Sequence, residues 1–103
     1  MNEPDIAWAY ALKSERLWHG RPGERILLRT APIPRRASPI RVAAQTILAP
    51  HPGARRRWTL RPEEVDEEGW LLVRLPRNLP RGLHLWRLCI GGRARRPCVF
   101  FVG

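Results

Sequence analysis

The chain has 103 residues, so it makes one domain with a single modest core. Hydrophobic residues make up 44%, which argues against disorder, and no apolar run approaches the ~18 residues needed to cross a bilayer as a helix. The formal net charge is +10, and every one of the 19 basic side chains except Lys13 is arginine. That charge suits a polyanionic partner, because clustered arginines neutralise phosphates and release counterions. The preference for Arg over Lys also fits GC-rich coding or thermal adaptation, which would carry no information about a ligand.

Eleven prolines and eight glycines punctuate the chain at intervals that suit short strands joined by turns. The first element is ambiguous. Between Asp5 and Leu17, the large residues Ile6, Trp8, Tyr10 and Leu12 alternate with Ala7, Ala9 and Ala11. The period of two predicts an edge strand or extended arm, against the helix propensity of alanine. Residues 1–18 are therefore set apart from a main body over 19–103.

The remaining strands are expected at Arg25–Ala31, Ile40–Leu48, Arg56–Leu60, Trp70–Leu75 and Leu83–Ile90, with a return strand at Val99–Val102. This makes an all-β domain of about seven strands. Ile26, Leu28, Leu71, Val73, Leu75, Trp58, Leu60, Trp86 and Leu88 fall on inward phases. The apolar phase slips at Ile47–Leu48, which predicts a bulge. The segment from Glu63 to Gly69 reads as an acidic, solvated turn.

One stretch carries a recognisable pattern. Trp70-Leu71-Leu72-Val73-Arg74-Leu75-Pro76 is followed by Leu79-Pro80-Arg81-Gly82-Leu83-His84-Leu85-Trp86-Arg87-Leu88, and Val99 to Gly103 follows a short turn. This resembles the last three strands of bacterial and phage immunoglobulin-like domains, and the Gly23-Glu24 preceding Ile26-Leu27-Leu28 is similar to their second strand. The resemblance implies an immunoglobulin-like antiparallel β-sandwich with an N-terminal arm or edge strand. It also implies a place in phage tails, baseplates, necks or capsid decoration, with cytoplasmic synthesis of a chain whose acidic start lacks a signal-peptide n-region. The family usually has Tyr where this chain has His84, and that Tyr commonly makes a corner hydrogen bond.

No catalytic motif or metal-ligand spacing is present, so no catalytic residue, cofactor or metal is expected. His84 reads as a core or boundary histidine with one hydrogen bond. A symmetric hairpin centred between Arg93 and Ala94 would set Cys89 opposite Cys98, Leu88 opposite Val99 and Trp86 opposite Phe101. The cysteines are then expected as free thiols side by side on the face opposite Trp86.

Loops of a sandwich alternate between two poles. Arg21, then Arg55, Arg56 and Arg57, then Arg77 and Arg81 should share a nearly pure basic pole. Arg35, Arg36, the acidic turn and Arg93, Arg95 and Arg96 should share a mixed one. Trp8 and Trp70 are candidate interface anchors, since exposed Trp beside Arg is common at interfaces. The leading expectation is a non-enzymatic structural subunit, such as a virion protein, that binds neighbouring protein subunits, with residues 1–18 adding to a neighbour's sheet. The alternative is a nucleic-acid-binding β domain using Arg and Trp. No membrane partner is expected.

Overall fold

The computed structural model describes residues 5–33, 39–48 and 57–103, with only the backbone of Leu48. The described residues form ten strands and no helix. In chain order they are β1 (Ile6–Ala11), β2 (Arg16–Leu17), β3 (His19–Gly20), β4 (Arg25–Thr30), β5 (Ile40–Leu48), β6 (Arg57–Leu60), β7 (Glu64–Val65), β8 (Trp70–Arg74), β9 (Gly82–Ile90) and β10 (Arg93–Val102). They make two five-stranded sheets: sheet A in the order β2-β1-β4-β8-β7, and sheet B in the order β3-β10-β9-β5-β6. The excess over seven comes from the two-residue strands β2, β3 and β7, too short to show a period. The acidic segment contributes β7, so it is not wholly a turn.

Alternation decides which side chains enter the core. In sheet A the inward cross-strand pairs are Ile26 with Val73 and Leu28 with Leu71, all fully buried. In sheet B they are Val42 with Leu88 and Ala44 with Trp86. Trp86 opposes Ala44 on one side and Cys98 on the other, so its indole has small neighbours where a large residue would collide. It stacks on Phe100 with ring centroids 4.1 Å apart. Burying two such aromatics supplies much of the core's apolar area. The bulge expected near Ile47 is present as a register shift between Thr46 and Leu48.

Two expectations are corrected. The N-terminal segment is neither an arm nor an edge: β1 lies between β2 and β4 and pairs with β4 from Ile6 to Ala11. It is occupied by its own sheet and is not available to a neighbour's. Its phase also changes, because a register shift between Ile6 and Trp8 turns Ala9 and Ala11 inward with Ile6, and leaves Trp8 and Tyr10 half-exposed outside.

The second correction concerns the last hairpin. Gly91 and Gly92 both have positive φ, +58° and +82°, and form the two-residue turn themselves. β10 therefore begins at Arg93, well before Val99. A second irregularity falls between Ala94 and Pro97, where proline has no N–H to give the ladder. The result pairs Cys89 with Ala94 and Cys98 with Trp86. Both cysteines are free, but they lie on opposite faces of sheet B, and Cys98 shares the Trp86 face.

The passage from sheet A to sheet B occurs at Trp18. Its φ is +59°, and its N–H donates to Ala9 while its carbonyl accepts from the N–H of Phe101. β3 then runs parallel to β10.

Candidate functional site

Two surface regions collect the candidate residues. The first lies at the pole where β4 begins. The turn before β4 is bonded to the loop after β8: Gly23 N–H donates to Leu75, and Leu75 N–H donates to Glu24. This stitching sets Arg21 beside Arg77. An open hollow of about 740 Å³ includes Lys13, Arg16, His19, Arg21, Arg77 and Phe101 in its lining. A second hollow of about 660 Å³ is lined by Arg21, Pro22, Arg77, Asn78, Leu79, Arg81 and Gly103. Arg21, Pro22, Arg77 and Gly103 belong to both, so the two form one trough.

Glu24 is the acid within that lining, and its carboxylate is already engaged. Oε1 accepts from the Ser14 hydroxyl at 2.7 Å and from Arg21 N–H at 2.9 Å, and Oε2 accepts from Ser14 N–H. Burial raises its pKa, but the hydrogen bonds outweigh that and hold it below the ordinary carboxylate value. The charged Glu24 thus ties the β1–β2 turn to the β3–β4 turn. Among the described residues, no carboxylate forms an ion pair with Lys13, Arg16, Arg21, Arg77 or Arg81.

Ser14, His19 and Glu24 share the trough, yet they are not arranged as a catalytic relay. Ser14 donates directly to Glu24, and His19 Nδ1 faces Arg16 at 3.2 Å, so no imidazole stands between hydroxyl and carboxylate. Among the described residues, no three His, Cys, Asp or Glu side chains gather as metal ligands.

The second region is the outer face of sheet A. Cross-strand register places Trp8, Arg29 and Trp70 in one row and Tyr10, Leu27 and Leu72 in the next. The two indoles meet edge to face at 5.4 Å, and the Arg29 guanidinium lies 4.5 Å above the Trp70 ring. Leu17, opposite Tyr10, is 59% exposed.

The structure therefore brings Arg21, Arg77 and Arg81 into one trough, and Trp8 and Trp70 into one contact. Arg57 begins edge strand β6, is exposed, and lines neither hollow of the trough. Arg55 and Arg56, like Arg35 and Arg36, lie outside the described residues. Sequence reasoning missed Lys13, Arg16 and His19 because the segment carrying them had no settled conformation. It missed Arg29 because one arginine in an apolar strand gives no sign of its cross-strand neighbours.

His84 is fully buried and makes two contacts. Nε2–H donates to the Pro80 carbonyl at 2.8 Å, and Nδ1 faces the Thr46 hydroxyl at 3.3 Å, where it accepts. The imidazole thus makes a bond back to the chain four residues upstream, and burial lowers its pKa. Burial, followed by the nearby Asp5 carboxylate, raises the Cys98 thiol to about 11, which keeps it protonated and unreactive at neutral pH. No protein family, curated protein or solved structure gives a significant match to the chain.

Proposed function

We propose that this is a non-enzymatic, immunoglobulin-like interaction subunit that binds neighbouring protein subunits of a larger assembly through the outer face of sheet A. The row of Trp8, Arg29 and Trp70 carries this reading. Trp, Tyr and Arg are the residues that dominate interface energies, and here they occupy adjacent positions on one sheet face with Leu17, Leu27 and Leu72 around them. Their pairing to one another holds the rings in place before a partner arrives, which reduces the entropy lost on docking. The immunoglobulin-like reading draws support from the two five-stranded layers, antiparallel except where β3 meets β10, and from the His84–Pro80 bond where the domains it resembles carry Tyr. The resemblance to phage domains adds virion parts to the assemblies such a subunit would serve.

The test is the size distribution of the protein recovered from its source, followed by sedimentation. The parent is expected in large particles, and a Trp8→Ser/Trp70→Ser variant with an unchanged fold is expected to stay outside them. A parent that sediments as a monomer both in source extracts and when concentrated overturns the reading.

A further inference from the structure

We infer that the trough at the β4-start pole is a binding site for the phosphodiester backbone of nucleic acid, sharing no residue with the tryptophan face. Its cations come from separate segments: Lys13 from the β1–β2 turn, Arg16 from β2, Arg21 from the β3–β4 turn, and Arg77 and Arg81 from the β8–β9 loop. Like charges gathered around one hollow repel each other, and the repulsion grows as water is excluded. Elsewhere the chain relieves that repulsion: Arg25 and Arg74 pair with Glu63, and Arg96 pairs with Asp5. In the trough no carboxylate of the described residues does so, and Glu24 has its oxygens committed to Ser14 and Arg21 N–H groups.

The shape narrows the class of anion. Two hollows joined through Arg21 and Arg77, with Lys13 and Arg16 toward one end and Arg81 toward the other, suit a chain of repeated charges better than a single carboxylate. Phe101 lies in the same lining, is 45% exposed and has its ring supported edge-on by His19 at 5.0 Å. An exposed ring beside a row of cations is the arrangement on which bases stack while phosphates meet the charges. An acidic peptide would use the charges and leave the ring idle.

The experiment measures binding of a labelled single-stranded oligothymidylate, with a duplex of equal length and polyglutamate as competitors, at several salt concentrations. Affinity of the parent should fall linearly with salt on logarithmic axes, and oligonucleotide competitors should displace the label where polyglutamate does not. Replacing Arg77 and Arg81 by Ser should weaken single-strand binding by about tenfold or more and lower the salt slope by about 0.7 per lost phosphate contact. Arg87→Ser/Arg93→Ser removes the same charge from exposed positions elsewhere and should leave the slope unchanged. Phe101→Ala should weaken the single strand more than the duplex. Thermal melts confirm that each variant is folded. Trp8→Ser/Trp70→Ser should bind the oligonucleotide as the parent does, which separates this site from the assembly face. Equal losses for the two arginine pairs, displacement by polyglutamate, or no binding at low salt would each overturn the inference.

Discussion

The acidic segment Glu63–Glu68 and the basic trough are both concentrations of like charge, and they are treated oppositely. In the acidic segment, Glu63 bridges Arg25 and Arg74, Asp66 caps the Glu68 N–H, and the Glu67 carbonyl accepts from the N–H of Ile33, beyond the end of β4. Gly69 closes it with φ of +104°, where a Cβ would collide with the Thr30 carbonyl. The Glu63 charge is thus spent within the fold. In the trough, the Glu24 carboxylate serves the Ser14 hydroxyl and the N–H groups of Ser14 and Arg21, and the guanidinium groups stay free of it. Charge density alone does not identify a binding surface; the presence or lack of internal partners does.

Both regions stand on the same core. Trp86→Ala should cost about 3–5 kcal/mol, since it empties the space between Ala44, Cys98 and Phe100. Urea melts check this, and an unchanged midpoint would contradict the core register. Glu24→Ala should cost about 1–3 kcal/mol by stranding the N–H groups of Ser14 and Arg21. It should also weaken oligonucleotide binding even though it raises the net positive charge, which a purely electrostatic account would not give.

Acid sharpens the comparison further. His84 and Glu24 both have lowered pKa values in the fold, so the unfolded chain takes up their protons first and acid favours unfolding. Stability should be full above pH 6.5 and decline below it as His84 resists protonation. A second decline follows below the ordinary carboxylate value as Glu24 is neutralised. Melting temperature against pH reads both stages, and His84→Gln should remove only the first. The smallest effect belongs to the acidic segment. Glu63→Gln breaks exposed pairs and should cost at most about 1 kcal/mol, with oligonucleotide binding unchanged.

The strands with clean alternation were legible. The expected bounds of β5 are those observed, those of β8 and β9 lie within one residue, and Leu71, Val73, Trp86 and Leu88 are buried as their phases predict. What failed was register. In β1 the alternation of large and small residues did not by itself assign a facing: a bulge after Ile6 puts the alanines in the interior with Ile6 and leaves the aromatics outside. In the last hairpin, two apolar-matching registers competed, and the turn-forming pair Gly91-Gly92 with Pro97 decided between them. Pairs such as Leu88 with Val99 are therefore poor guides where a shifted register also matches apolar with apolar. Loop alternation was enough to bring Arg21, Arg77 and Arg81 together. It did not reach Lys13 and Arg16, whose placement depends on the hairpin that β1 makes with β2.

The parallel contact of β3 with β10 bears on the order of folding. His19 meets Phe101 and Gly20 meets Val102, partners about eighty residues apart in sequence. Only two residue pairs reward the closure of that loop, so this seam forms after the antiparallel hairpins. During synthesis the final strand must leave the ribosome before Trp18 can join the two sheets. Until Phe100 to Val102 are in place, β3 has no strand to join in sheet B, and the Trp86 indole lacks the Phe100 ring on which it stacks. A nascent chain stopped before Phe100 can already pair β10 with β9 from Arg93 to Val99, but it has no residue for β3 to join and no ring to cover Trp86.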